Sequence, residues 1–168
     1  MTHLKKHTTV DTPPAGFVPV KIGSHFASHC AQWLARWHEG KLQLGFIVEP
    51  HQVNPGGHCH GGMLSLLADI LLSSAAQYQT DIPRQFLPTI GLQLDFMNGA
   101  PLGCWVEGEA TILQVTKNLV FSTGLLQARG KPVARASGVF RRGPLLPDSD
   151  SDHGLSLPGM PVRTPGCP

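Results

Sequence analysis

From Met63 to Tyr78 the chain is apolar on most sides, rich in Ala and Leu, and free of Gly and Pro. That pattern predicts a helix of about four turns, buried around most of its circumference. After Pro88 the period changes. Thr89 to Met97, Cys104 to Thr116, Leu119 to Ala128 and Pro132 to Arg141 are extended runs. They are parted by Asn98-Gly99-Ala100-Pro101, Lys117-Asn118 and Arg129-Gly130-Lys131, residue types that favour tight turns. Four consecutive strands with short connections predict an antiparallel meander. Upstream, Gln32 to Val48 offers two short apolar segments around His38-Glu39-Gly40-Lys41, which reads as a hairpin, although His29 to Trp37 alone also reads as helix. One helix beside about six antiparallel strands predicts an α+β fold, a single curved sheet wrapped around a central helix.

The ends lie outside this pattern. Residues 1–16 lack periodicity and carry Pro13-Pro14, so they are expected to form a loose arm. Residues 143–168 are rich in Pro, Gly, Ser and Asp, and too poor in apolar period to offset their ordering entropy, so a disordered tail is expected. Between them, 17–142 is expected to be one domain, which suits a chain of 168 residues. Hydrophobic residues make up 41% and charged ones 14%, which leaves apolar surface for self-association. A formal charge of +2 excludes the dense basic stripe of a nucleic-acid binder. Cys30, Cys59, Cys104 and Cys167 fit no metal or redox spacing and read as free thiols. With no apolar signal core near Met1, the expected compartment is cytoplasmic. The run Met63 to Ala76 is interrupted by Ser65, Asp69, Ser73 and Ser74 and falls short of the ~20 residues that cross a bilayer.

Candidate chemistry gathers just ahead of the helix. His51 to Gly62 packs four glycines and three histidines into one loop. Gly61 and Gly62 stand at the helix entry, where orphan N–H groups and the positive end of the helix dipole can meet an anion or a developing oxyanion. The plainer reading of such glycines is a tight turn. Within the helix, Ser65, Asp69, Ser73 and Gln77 recur every fourth residue and make one polar stripe on an apolar rod. The stripe is either the wet face of the helix or the wall of a site containing a carboxylate.

Asn54, His60-Gly61-Gly62 six residues later and Asp69 nine residues after His60 resemble the signature of hotdog-fold acyl-CoA thioesterases of the phenylacetate-pathway (PaaI-like) type. The resemblance runs over roughly residues 17 to 141. It is strong in the loop and helix and a matter of pattern elsewhere. It implies Asp69 as the carboxylate that attacks the thioester or activates water, and the Gly61 backbone N–H as oxyanion donor. It further implies Asn54 as an orienting residue, His60 as one that shapes the site, and Thr89 as a hydroxyl that can hold water. A strand threonine is otherwise an ordinary β-former. Gly62 and Ser73 are expected to help bind substrate. Arg129, Lys131 and Arg135 are expected by composition alone to rim the CoA phosphates, the alternative being solvated turn and strand charges. The resemblance also implies a homodimer with Asp69 from one subunit facing the Asn54–Gly62 loop of the other, assembling to a tetramer, and no cofactor.

Three other readings compete. His51, Cys59, His58 and His60 lack the helix spacing of two metal ligands and a nearby third, so no metal is expected. A hotdog dehydratase or hydratase shares the fold and the thioester but pairs its residues at another spacing. An acyl-CoA-binding or sensing module without turnover has no use for Asp69 beside a thioester. Tyr78, Phe86, Leu87 and Phe96 could line an acyl pocket or simply pack the core. Acyl preference, the choice between nucleophile and general base, and the tetramer arrangement stay open.

Overall fold

A computed structural model of the chain describes residues 9–23, 25–146 and 154–159. Two short strands, β1 (Val18–Pro19) and β2 (Lys21–Ile22), precede the one-turn helix α1 (Phe26–Cys30). The hairpin β3 (Leu34–His38) and β4 (Lys41–Ile47) follows, then the long helix α2 (Gly61–Gln79). The meander β5 (Thr89–Phe96), β6 (Trp105–Val115), β7 (Leu119–Ala128) and β8 (Lys131–Arg141) comes next, and β9 (Leu155–Ser156) is last. The main sheet runs β1-β3-β4-β6-β7-β8-β5, with β2 and β9 forming a separate ribbon. It is antiparallel throughout. Seven strands replace the six expected, because Val18–Pro19 adds a short edge to β3.

The hairpin reading of Gln32 to Val48 holds. Its turn at Glu39-Gly40 has two successive positive φ angles, 49° and 77°. A two-residue turn of that kind matches the right-handed twist of paired strands. Helix α2 lies on the concave face of the sheet, with Leu67, Ala68, Leu71, Leu72, Ala75 and Ala76 wholly buried. Burial of α2 over so much of its surface follows from the all-round apolarity of Met63 to Tyr78. Phe46, Val106, Val120 and Phe140 meet it from the strands.

Two corrections concern the ends. Residues 9–16 are not the loose arm expected there. The Asp11 N–H donates to the Gly103 carbonyl at 2.8 Å, and the Asp11 carboxylate takes the Arg129 guanidinium in a fork and the Trp105 N–H. These donors, Arg129 first, outweigh desolvation and hold the Asp11 carboxyl below its ordinary range. Nor are residues 154–159 disordered. Leu155 and Leu157 are each only 5% exposed, Lys21–Ile22 pairs with Leu155–Ser156, and Gly143 is tied to Phe86. The Tyr78 hydroxyl clasps this segment, donating to the Leu155 carbonyl at 3.1 Å and accepting from the Leu157 N–H at 3.0 Å. The expectations for residues 1–8, 147–153 and 160–168, Cys167 among them, lie outside the described residues.

Candidate active site

His60 caps α2. Its backbone is extended, and its Nδ1 accepts from the Gly62 N–H at 2.9 Å. The first N–H groups of a helix have no intrahelical acceptor and must find one elsewhere. Met63 and Leu64 both donate to the His60 carbonyl, at 2.9 and 3.3 Å. The Gly61 N–H alone of this first turn has no acceptor among the described residues. The Phe96 ring of β5 lies over the Gly61 Cα, where a Cβ would meet it at 3.3 Å. Gly61 thus offers a free amide at the positive end of α2. Gly62, expected to bind substrate, has its amide committed to His60.

Asn54 organises the loop that delivers this helix start. Its Oδ1 accepts from the Gly56 N–H at 2.9 Å and the His58 N–H at 3.3 Å, and its own N–H donates to the His58 carbonyl at 2.8 Å. The loop histidines have other partners than a metal. His51 lies beside Glu49 and the Cys30 carbonyl, His58 contacts the Gly56 carbonyl, and His60 caps the helix. Among the described residues no three metal-binding groups converge. Burial, and secondly Cys104, push the Cys59 thiol up to about 12, which removes it as a nucleophile near neutral pH.

Two turns along α2, Asp69, Ser73 and Gln77 line one wall of a cavity of about 450 Å³. The polar stripe is therefore half-buried rather than the wet face of the helix. The Ser73 hydroxyl donates to the Asp69 and Ile70 carbonyls at 2.8 and 3.2 Å, so its proton is spent within the helix. Across the cavity, Thr89 Oγ1 donates to Asp69 Oδ1 at 2.6 Å. A hydroxyl-to-carboxylate bond of that length is charge-assisted and strong. It orients the carboxylate and leaves Oδ2 for substrate or water.

A local irregularity makes that bond possible. In β5, Leu92 and Leu94 pack on the core, so strict alternation would turn Thr89 away from α2. The pairing of β5 with β8 shifts between Thr89 and Gly91, which inserts Ile90 as an extra residue. Such a bulge re-aims the side chain beside it. Ile90 is left 60% exposed and Thr89 reaches Asp69.

Three further lining elements went unanticipated: α1 through Phe26 and Ala27, the buried Gln85, and Leu155 of β9. The alternation Leu155-Ser156-Leu157 was the one available signal of the last. Of the aromatic candidates, Phe86 lines the cavity and Phe96 lies by Gly61 instead. Arg129, Lys131 and Arg135 do not line it. Arg129 is paired with Asp11, Arg135 with Asp95 at 2.6 Å, and Lys131 is exposed at the start of β8.

Asp69 and Gly61 are eight residues apart on α2, about 12 Å along its axis.

The fold has known counterparts. Residues 56–131, from the loop through β7, match the model of the Thioesterase superfamily. A candidate esterase of Pseudomonas aeruginosa is 32% identical over 128 residues, covering 76% of this chain and 95% of that protein. In structure, the chain is similar to the PaaI protein of E. coli, from its phenylacetic acid degradation operon, with a TM-score of 0.61. That match has 20% identity and covers 73% of this chain and 89% of that one. A hypothetical thioesterase of Streptococcus pneumoniae, solved with coenzyme A, superposes with a TM-score of 0.58 at 15% identity, over 68% of this chain and 88% of that one. These last two likenesses bear out the hotdog arrangement of sheet and helix. With a capped glycine entry, a hydroxyl-bonded carboxylate and a close relative over most of its length, the chain belongs to the thioesterase superfamily.

Proposed function

We propose that the protein hydrolyses an acyl-CoA thioester to the free acid and CoA, with Asp69 of one subunit and the Gly61 amide of another acting on the same carbonyl. Thioester hydrolysis as such follows from the family. The acyl-CoA substrate and these two roles are the further reading. The observation that carries it is the Thr89–Asp69 bond: it holds a carboxylate in a mostly apolar cavity with one oxygen unengaged.

Two routes use that oxygen. As nucleophile, Oδ2 adds to the thioester carbon, CoA thiolate leaves, and water cleaves the resulting anhydride. As general base, Asp69 takes a proton from water while the water oxygen adds, and that proton goes to the departing CoA sulfur. Either way the carbonyl oxygen becomes negative, and an N–H aimed at it lowers the barrier by up to ~3–4 kcal/mol. The 12 Å separation within one chain is what supports a second subunit as the source of the donor. Strand β5 ends the sheet, with Ile90, Phe96 and Met97 exposed along it, an edge suited to a second copy. The family resemblance extends this homodimer to a tetramer. The Streptococcus relative with coenzyme A supports the CoA moiety, for whose phosphates exposed Lys131 is better disposed than the paired arginines. A cytoplasmic compartment would keep Cys30, Cys59 and Cys104 as free thiols.

A thiol-release assay over a panel of acyl-CoAs tests the reading. Hydrolysis of at least one member, abolished in Asp69→Asn, is expected. CoA binding without turnover of any member would mean a sensing module instead.

A further inference from the structure

The cavity beside Asp69 has a direction. Its α2 wall runs from Leu66 through Asp69, Ile70 and Ser73 to Gln77, so most of its length lies on the C-terminal side of Asp69. The facing wall, residues 85–89, runs back along the same stretch. Thr89 Oγ1 donates to Asp69 at one end, and the Gln85 N–H donates to Gln77 Oε1 at the other. An acyl group whose carbonyl stands at Asp69 therefore has its room toward Gln77.

That end is closed by two apolar residues far apart in the chain. Ile22 of β2 and Leu155 of β9 are register partners, both line the cavity, and they are only 7% and 5% exposed. Tyr78, next to Gln77, holds them there, its hydroxyl engaging both the Leu155 carbonyl and the Leu157 N–H. A ribbon of two residues a strand is too short to be rigid by itself, and this clasp supplies what the pairing lacks. Neither Ile22 nor Leu155 lies within residues 56–131, which match the family. The wall thus comes from flanking segments, the part of a fold where chains vary most.

Tyr78 is nine residues beyond Asp69, about 14 Å along the helix axis, and its side chain leans back toward the N-terminus. The Leu155 side chain then stands roughly 6–10 Å from a carbonyl at Asp69. An extended chain of about five to eight carbons spans that distance.

We propose that Leu155, backed by Ile22 and clasped by Tyr78, is the specificity residue that ends the acyl pocket and restricts the enzyme to medium-chain acyl groups. The inference rests on the acyl-CoA reading above and names the class of acyl group within it. Each methylene that fits leaves water for apolar wall, whereas a chain that is too long must displace a packed side chain.

Straight-chain acyl-CoAs from butanoyl to dodecanoyl test this. In the wild-type homo-oligomer kcat/KM is expected to rise about 3–4-fold per methylene, peak at about six to nine carbons, and fall at least about 10-fold within two or three carbons more. Leu155→Ala removes three side-chain carbons, so the peak should move about two to three carbons longer; Leu155→Phe should move it shorter. Tyr78→Phe, which keeps the ring but loses the clasp, should raise kcat/KM beyond the wild-type peak. A purely structural role would lower all chain lengths together, whereas here butanoyl-CoA, too short to reach the wall, should stay within about 2-fold in Leu155→Ala and Tyr78→Phe. A wild-type profile with no upper limit, or a peak that stays in place in the variants that fold, overturns the proposal while leaving thioester hydrolysis intact. Failure of the wild type to hydrolyse any member would take the acyl-CoA reading down with it.

Discussion

The first turn of α2 and the turn around Asp69 belong to the same helix and are furnished in opposite ways. At the first turn, His60 and Asn54 spend their side-chain acceptors on the surrounding backbone, and what remains is one bare amide at Gly61. Around Asp69 the supporting groups converge: a threonine from the sheet edge, apolar walls from β2, α1, α2 and residues 86–88, and a segment near the C-terminus closing the side. The first region is a donor awaiting a ligand from outside; the second is a pocket awaiting a donor. Their separation along the helix is what motivates the proposal that the two regions of different subunits act together.

Breaking the pocket half should have the largest effect. Asp69→Asn keeps shape and hydrogen-bonding capacity but removes the negative charge, and kcat is expected to fall by about 10³-fold or more in the thiol-release assay, with assembly unchanged by size-exclusion chromatography. Next comes the donor half. Gly61 is the first helical residue, a position where proline is tolerated, and His60 already has the extended backbone that precedes a proline. Gly61→Pro therefore deletes the amide with little harm to the helix, and kcat is expected to drop about 10²–10³-fold. Gly61→Ala, which crowds Phe96 at the same point but retains the N–H, should retain most of the activity. A smaller effect is expected from Thr89→Val, which leaves Asp69 in place but frees it to turn. Here kcat should fall about 10-fold and be restored by Thr89→Ser, while KM changes little. If valine were harmless, the 2.6 Å bond would be incidental to catalysis.

Much of this contrast was legible in the sequence, and unevenly so. The helix, the meander and the hairpin follow from apolar period and turn residues, because those signals are local. Asp69 stood out because a carboxylate in an apolar rod is costly without a use. Thr89 was named only through the family resemblance, as a hydroxyl that can hold water, and its contact with Asp69 was hidden: its face of β5 is set by the extra residue at Ile90, and a bulge appears only once β8 is seen beside it. The acidic partners of the arginines were hidden for a related reason. Arg129 and Asp11 are distant in sequence, as the tight turn at Arg129-Gly130 brings a β-strand connection back to the N-terminal segment. Composition near a Pro-, Ser- and Asp-rich terminus masked Leu155 and Leu157, whose burial depends on meeting Lys21–Ile22 and Tyr78.

The central claim, that Asp69 and Gly61 of different subunits serve one carbonyl, can be tested by complementation. Asp69→Asn and Gly61→Pro chains, each nearly inactive alone, are mixed under conditions that exchange subunits. In a two-fold dimer each mixed pair carries one site with both native groups and one with neither. Statistical exchange makes about half the dimers mixed, so activity should recover to about one quarter of wild type. Activity no greater than the sum of the two separate variants, with exchange verified by differential tagging, would show that the two groups do not meet across subunits.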